Sequence, residues 1–312
     1  MNKPIIIIDK TKMTNIVQKP FLKWVGGKTQ ILDHVLNKFP NKMNNYHEPF
    51  VGGGSVLFGL LSLQKQGTIN IKKKIYAYDI NEALINTYKH VQSNRTELYN
   101  CLKKYMDTYD TLTGDIINRK PSSLEEAMTS KESYYYWLRN KYNEADKKTV
   151  DCAALFMFIN KTCFRGMYRE GPNGYNVPYG HYKKTPKLIT EQELSVISEL
   201  IKDVVFIHCD FTDSFKNMKK GDFIYVDPPY VKENEKSFVK YVSGGFDLQT
   251  HMNLFDEIKK VDKKKVKFVL SNSKVDLVTT CFKEFNIEDI QARRAIHSKK
   301  PGSTTTEVII SN

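Results

Sequence analysis

The chain has neither the number nor the spacing of cysteines that a stapled secreted domain or a thiolate zinc site requires. Cys101, Cys152, Cys163, Cys209 and Cys281 are odd in number and form no C-x-x-C pair. A disulfide framework and a cysteine zinc site are therefore excluded, and the expectation is reduced thiols packed as small apolar groups. Long apolar runs are missing too. Nothing approaches the roughly 20 residues of a membrane span, and the four isoleucines at 5–8 are closed off by Asp9, Lys10 and Lys12. A secretory signal needs a longer apolar stretch and a small-residue cleavage site, so a cytoplasmic or otherwise intracellular protein without membrane contact is expected. Internal repeats and low-complexity linkers are also absent. Arginine is scarce, at seven of 48 basic residues.

What remains is ordinary globular material with a strong charge bias. A chain of 312 residues, 40% hydrophobic and 27% charged, suffices for one large or two medium domains with a real core. The formal net charge of +13 favours a polyanionic partner, nucleic acid being the usual one; a lysine-rich solvated surface is the plainer alternative. The few arginines help to decide. Arg165 and Arg169 lie four apart in NKTCFRGMYREGPNGYNVPYG, among Phe164, Tyr168, Asn173 and Tyr175. That stretch is too rich in glycine and proline for a helix or strand. Arginines and aromatic rings on such a loop suit the reading of guanine edges and the gripping of backbone phosphate. Arg165, Tyr168, Arg169 and Asn173 are thus candidate DNA contacts, against the alternative of a packed loop with surface arginines.

Patterning along the chain predicts an α/β sheet interrupted by a mainly helical insert. NYHEP at 45–49, the helical spacing of SVLFGLLSLQKQ and the strand KIYAYDI at 74–80 form a β-α-β unit. Helical segments follow in EALINTYKHVQ, SYYYWLRNKYNEA and DCAALFMFIN. Strands return at DVVFIHCDF (203–211), DFIYVDPPY (222–230), VKFVLSNS (266–273) and EVIISN (307–312).

Three short motifs carry chemistry. The GGKT at 26–29 is no P-loop, because G-x-x-x-x-G-K-[ST] would need glycine where Leu22 stands, and Pro20 disrupts the strand that should precede it. In FVGGGS, Gly52 and Gly54 let backbone turn sharply and approach a ligand at the carboxyl edge of a sheet. Leu57 replaces the third glycine of a dinucleotide fingerprint, yet Asp79 ends the next strand at a distance suited to ribose hydroxyls. A nucleoside cofactor is expected; a tight turn with an unrelated aspartate is the alternative. The third motif is DPPY at 227–230. Pro228 and Pro229 remove two backbone donors, leaving the Asp227 carboxylate and the Pro228 carbonyl as acceptors beside the Tyr230 ring. Such acceptors suit an exocyclic amine, which they would draw from planar toward tetrahedral geometry, while Tyr230 stacks on a base that has left its duplex. A proline turn capping a buried strand would explain the same residues without chemistry.

Together these landmarks resemble the Dam-type, or α group, DNA adenine-N6 methyltransferases, in the family's order from about Phe21 to the end. FLKWVGGK is similar to that family's amino-terminal cofactor motif, EPFVGGGSV to its F-x-G-x-G motif, YDIN to its acidic ribose motif and DPPY to its catalytic motif; NVPYGHYKK and TTTEVIISN fit as well. The resemblance implies a Rossmann-like class I methyltransferase sheet with a mainly helical target-recognition insert. The division would be 1–80 and 201–312 for the S-adenosylmethionine-binding catalytic domain and 81–200 for the insert. It implies cofactor contacts from Trp24, Lys28, Phe50, Gly52, Gly54, Asp79, Asp210, Phe211 and Asp227. Lys28 would offer its charge to the cofactor's carboxylate, Asp79 would hold the ribose, and Asp210 with Phe211 would meet the adenine. Asp227, Pro228, Pro229 and Tyr230 would be catalytic, and no metal is implied. Arg169 aligns with an arginine of the recognition loop, while Arg165 stands where asparagine is usual.

The implied reaction is methyl transfer from S-adenosyl-L-methionine to N6 of a flipped-out adenine in a short palindromic site, CATG or GATC, of double-stranded DNA. CFRGMYREGPNG and EKSFVKYVSGGFDL are closer to the branch that modifies CATG in restriction-modification systems, so a cognate restriction endonuclease is an expected partner. A glutamine-N5 protein methyltransferase would show asparagine in place of Asp227, and a cytosine-N4 enzyme serine. A catalytically inactive DNA-binding homologue is the remaining rival.

Overall fold

The computed structural model describes residues 17–187, 189–231, 246–293 and 304–312. The isoleucine run at 5–8 lies outside them, and of EKSFVKYVSGGFDL only Phe246, Asp247 and Leu248 lie inside.

Seven strands make the central sheet: β1 (Tyr46–Glu48), β2 (Ile75–Asp79), β3 (Val204–His208), β4 (Phe223–Val226), β5 (Lys267–Ser273), β6 (Asn286–Arg293) and β7 (Thr304–Ser311). Their spatial order is β6-β7-β5-β4-β1-β2-β3. β1 pairs in parallel with β2 and β4, β2 with β3, and β4 with β5, whereas β7 runs antiparallel between β5 and β6. Parallel strands need both faces covered, and every residue of β1 and β4 is buried. The two-residue period of the strands then sorts side chains into two cores. Phe223, Tyr225, Val269 and Ile309 enter one; Ile224, Val226, Leu270 and Val308 enter the other. The α/β architecture is thus the one the patterning predicts. Edge strand β6 escapes prediction because its sequence, NIEDIQAR, is largely charged and polar.

Helix α1 (Ser55–Lys65) starts from Gly54, which sits in the left-handed region at φ +74°. Ser55 to Leu63 are all buried, which is why its apolar stripe is broad rather than sharp. After β2 the chain forms α2 (Glu82–Ser93), α3 (Arg95–Thr111), α4 (Lys131–Glu144), α5 (Val150–Thr162) and α6 (Glu191–Leu200) before returning as β3. Asn81 caps α2 through Leu84, and Thr190 with Glu193 forms a reciprocal capping box on α6. α5 packs against α2, α3 and α4 and is buried continuously from Cys152 to Asn160. This helical layer shares one core with the sheet face carrying Phe223 and Tyr225, so the arginine loop that follows α5 is anchored to the sheet through that core. Helix α7 (Leu248–Lys263) covers the opposite face with Leu254, Phe255, Ile258 and Val261.

Two local expectations are corrected. The strand predicted over 203–211 stops at His208, because the Asp210 side chain accepts hydrogen bonds from the Thr212 N–H at 2.9 Å and its hydroxyl at 2.7 Å and starts a helical turn at Phe211–Ser214. The arginine loop is not wholly irregular: Phe164–Gly166 form a tight helical turn, and Glu170–Gly171 pair antiparallel with Gly174–Tyr175. Among the described residues no helix is long and apolar enough to cross a membrane. All five cysteines are free thiols.

Candidate active site and nucleic-acid interface

Parallel strands bring their carboxyl ends to one edge, and ligands of open α/β sheets sit where neighbouring strands lead away to opposite sides. Here that point lies at β1, flanked by β4 and β2. Glu48 ends β1, Asp79 ends β2, His208 ends β3, and Asp227 follows β4. The glycine loop after β1 is held to the end of β2 by Asp79, which accepts from the Gly52 N–H and the Asn81 N–H, each at 3.0 Å. Burial raises the pKa of this carboxyl, and the two N–H groups oppose the rise.

The glycines answer a second need that the sequence did not reveal. A Cβ on Gly52, at φ +48°, would come within 2.8 Å of the Trp24 indole, and one on Gly53 within 2.7 Å of Trp24 Cβ. Trp24 therefore lies on the glycine loop. Its ring also meets Tyr168, stacked at 5.7 Å and 24°, and Phe156, tilted at 6.3 Å. The backbone of Lys23 is clamped by Asn160 of α5, with Lys23 N–H donating to Oδ1 at 2.9 Å and Nδ2 donating to the Lys23 carbonyl at 2.7 Å. The FLKW segment is thus wedged between the glycine loop and the helical layer. Phe50, Phe211 and Phe246 make an aromatic wall with ring separations of 5.7–5.8 Å. Asp210 is exposed beside it. Ile80, not singled out from the sequence, is 72% exposed next to Asp79.

At the DPPY turn, Lys28 is only 6% exposed, and its Nζ lies 2.9 Å from Asp227 Oδ1, 2.9 Å from the Gly26 carbonyl and 4.8 Å from the centre of the Tyr230 ring. This charge, expected to face a cofactor carboxylate, also pairs with a carboxylate of the chain itself. The contact with Oδ1 is a close charge pair, and among the described residues this buried oxygen meets no other donor. Burial pushes the Asp227 pKa up to about 6, with Lys28 opposing and Glu307 adding to the rise. A second acid, Glu48, is buried and accepts from the Tyr46 hydroxyl at 2.6 Å. Burial drives its pKa up to about 8, against the hydrogen bond from Tyr46. The turn is pinned further along: Tyr230 donates to Glu307 Oε2 at 2.9 Å, Val231 N–H to Asn272 Oδ1 at 3.3 Å, and Ser273 Oγ to the Val231 carbonyl at 2.5 Å. Pro228 is buried and Pro229 exposed. Glu48 and Glu307 gave no sequence signal of a role, since each is one glutamate within a strand.

The arginine loop presents Phe164, Arg165, Arg169 and Asn173 outward. Arg165 adopts φ +56° with its guanidinium 5.2 Å from the Phe164 ring. Arg169 is braced across the hairpin, Nε donating to Asn176 Oδ1 at 2.6 Å and Nη2 to the Asn176 carbonyl at 3.3 Å. Tyr168 differs from the other candidates: it turns inward onto Trp24, and its hydroxyl pairs with Glu170. Lys23, overlooked in the sequence, places Nζ 3.4 Å from the Lys161 carbonyl and 3.2 Å from the Tyr182 hydroxyl. Lys161 has its pKa lowered by burial and by the charge of Lys23. Two crowded ammonium groups beside the loop favour a polyanion. Among the described residues, no group of three His, Cys, Asp or Glu side chains is placed to hold a metal ion.

Comparison with known proteins matches residues 24–296 to the family described as D12 class N6 adenine-specific DNA methyltransferase. The Type II methyltransferase M.MjaIII of Methanocaldococcus jannaschii is 37% identical over 291 residues, covering 90% of this chain and 93% of the relative. The Type II methyltransferase M1.LlaDCHI of Lactococcus lactis subsp. cremoris is 34% identical over 312 residues, covering 96% and 99%. The DNA adenine methylase of Haemophilus influenzae is 31% identical over 281 residues, covering 89% and 87%.

Proposed function

The chain belongs to the D12 class of N6 adenine-specific DNA methyltransferases, and from that premise we propose which of its residues bind, orient and transfer, and on what DNA. Membership of this class removes the glutamine-N5 and cytosine-N4 readings. The observation that carries the proposal is the enclosed Asp227 carboxylate, whose Oδ1 is paired with the Lys28 ammonium at 2.9 Å and meets no other donor among the described residues. A buried acceptor in that condition is costly, and an amino group entering over Tyr230 relieves it. One N–H of the adenine amine would go to Asp227 and the other to the Pro228 carbonyl. Both bonds strengthen as the nitrogen becomes tetrahedral and acidic, which is the differential binding catalysis requires. Tyr230 supplies the stacking face for a base that must leave the duplex.

The residues at the strand ends fit S-adenosylmethionine, which when bound supplies an electrophilic methyl group on sulfur. Asp79 keeps outward lone pairs for ribose hydroxyls after stapling Gly52 and Asn81. Phe50 and Phe211, with exposed Ile80 and Asp210, suit a flat purine. Trp24 supports this pocket through the glycine loop, and Lys28 serves both the pocket and Asp227. Residues 81–200 carry target recognition, with Arg165 and Arg169 reading guanine and Lys23 and Lys161 meeting phosphate. A palindrome such as CATG or GATC presents one guanine per strand to this loop. The Type II names of two relatives support a restriction-modification setting, in which a cognate endonuclease cutting the unmodified site is the proposed partner, inside the cell where DNA is.

The test is long-read sequencing of DNA from cells expressing the protein or Asp227→Ala. N6-methyladenine in one palindromic context, lost in the variant, is expected. Turnover of Asp227→Ala within tenfold of the unsubstituted enzyme in a labelled-cofactor assay would sink the assignment.

A further inference from the structure

We propose that Glu307 is a positioning residue for the methyl transfer: by accepting the Tyr230 hydroxyl it sets the plane of the ring on which the target adenine stacks. This rests on the reading of the DPPY cleft as the adenine subsite and adds a residue from β7, two strands away from β4.

Glu307 lies in β7, in register with Ser273 of β5. It is half-buried and is followed by the buried Val308, Ile309 and Ile310, so its carboxylate gains from a donor within the protein. The described partner is Tyr230 Oη at 2.9 Å. A tyrosine ring turns about a broad, roughly two-fold torsion, so its plane must be fixed by contacts. Lys28 meets the ring at its centre, 4.8 Å away, which restrains position more than rotation about the ring's long axis. A hydrogen bond from the hydroxyl to an ionised acceptor is of the stronger, charge-assisted kind. A phenolic O–H lies in the plane of its ring, so an acceptor fixed to one side of the long axis orients that plane; Glu307 does this while Asn272 and Ser273 fix the chain at Val231. β5 and β7 together aim the platform, and β4 supplies it.

The arrangement also has an electrostatic signature. The groups acting on Asp227 are Lys28 from the amino-terminal segment, Glu48 from β1, Glu307 from β7, and the Tyr225 and Tyr230 hydroxyls. Of these, Glu307 opposes ionisation of Asp227 and Lys28 favours it. Replacing Glu307 by a neutral residue then moves the acid limb of activity to lower pH, which reports its nearness to Asp227.

The experiment uses the full chain, labelled S-adenosylmethionine and a duplex containing the modified site. It compares Glu307→Ala, Glu307→Gln, Tyr230→Phe and the double variant Tyr230→Phe/Glu307→Ala, with melting curves alongside. Glu307→Ala and Tyr230→Phe should each lower kcat by roughly 10- to 100-fold, and the double variant should fall no further than the worse single one. Glu307→Gln keeps an acceptor, so it should lose less than Glu307→Ala and shift the acid limb of kcat downward. Losses that multiply in the double variant, or an acid limb unmoved in Glu307→Gln, overturn the proposal. Should Glu307→Ala not fold, the same cycle is run with Glu307→Gln and Tyr230→Phe/Glu307→Gln, and losses that multiply overturn the proposal. A wild-type enzyme that methylates no adenine overturns the cleft reading itself, a result distinct from either.

Discussion

Lys28→Met removes the one cation that neighbours Asp227 in the described cleft. The two charges are 2.9 Å apart and both are largely buried. At an effective dielectric of about 20, Coulomb's law gives roughly 6 kcal/mol for unit charges at that separation. Water entering the vacated space and relaxation of the turn reduce this, and breaking a buried pair costs about 3–5 kcal/mol in practice. Taking the lower end and about 1.4 kcal/mol per pH unit, the Asp227 pKa should rise by about two units from its value of about 6. At pH 7 the reactive carboxylate would drop from about nine-tenths of the enzyme to about one-tenth, and activity would recover as pH approaches 9. The assay is the pH profile of kcat between pH 5 and 9.5, at cofactor concentrations that saturate the variant. A loss that is flat across pH and disappears on raising S-adenosylmethionine would refute this account. Lys28 would then act on the cofactor's carboxylate alone.

Arg169→Ala should lower methylation of the proper site far more than of sites altered at guanine, since a bidentate guanine contact is worth about 1–3 kcal/mol of discrimination. A uniform fall across sequences, with the salt slope reduced by about one, would reassign Arg169 to phosphate and move the guanine contact to Arg165. For stability, Glu48 is the residue to change. Its folded pKa of about 8 stands above the ordinary glutamate value of 4.5, so the folded state binds the extra proton and stability falls as pH rises through that interval. Glu48→Gln should flatten that part of the curve and melt higher than wild type at pH 8; parallel melting profiles for the two proteins would exclude the effect.

Much of the fold and part of the site follow from local sequence. The motifs FVGGGS, YDIN and DPPY are each a strand end plus its turn, so their chemistry is carried by neighbouring residues and survives reading in one dimension. The strands at 46–48, 75–79, 223–226 and 267–273 and the helices at 55–65, 82–93 and 150–162 follow from period and β-branching for the same reason. The sequence does not mark α3, α6 or α7 as clearly, since lysines and acids dilute their apolar stripes, and β6 is an edge strand with a polar face.

What only the tertiary structure decided is who meets whom across long separations. Lys28 reaches Asp227, Tyr230 reaches Glu307, Asn160 grips Lys23, and Trp24 stacks on Tyr168. Motif spacing carries no information about such pairs, because they arise from strand order: β1 lies beside β4, and antiparallel β7 brings a glutamate from near the chain's end alongside the turn that follows β4. Trp24 and Tyr168, each read from sequence as facing a ligand, are turned toward each other because the glycine loop has room for an indole where a Cβ would stand. Burial does the rest. A carboxyl whose neighbours are aromatic rings and one ammonium group titrates near neutrality, and that enclosure exists only once the sheet and the helical layer have closed over it.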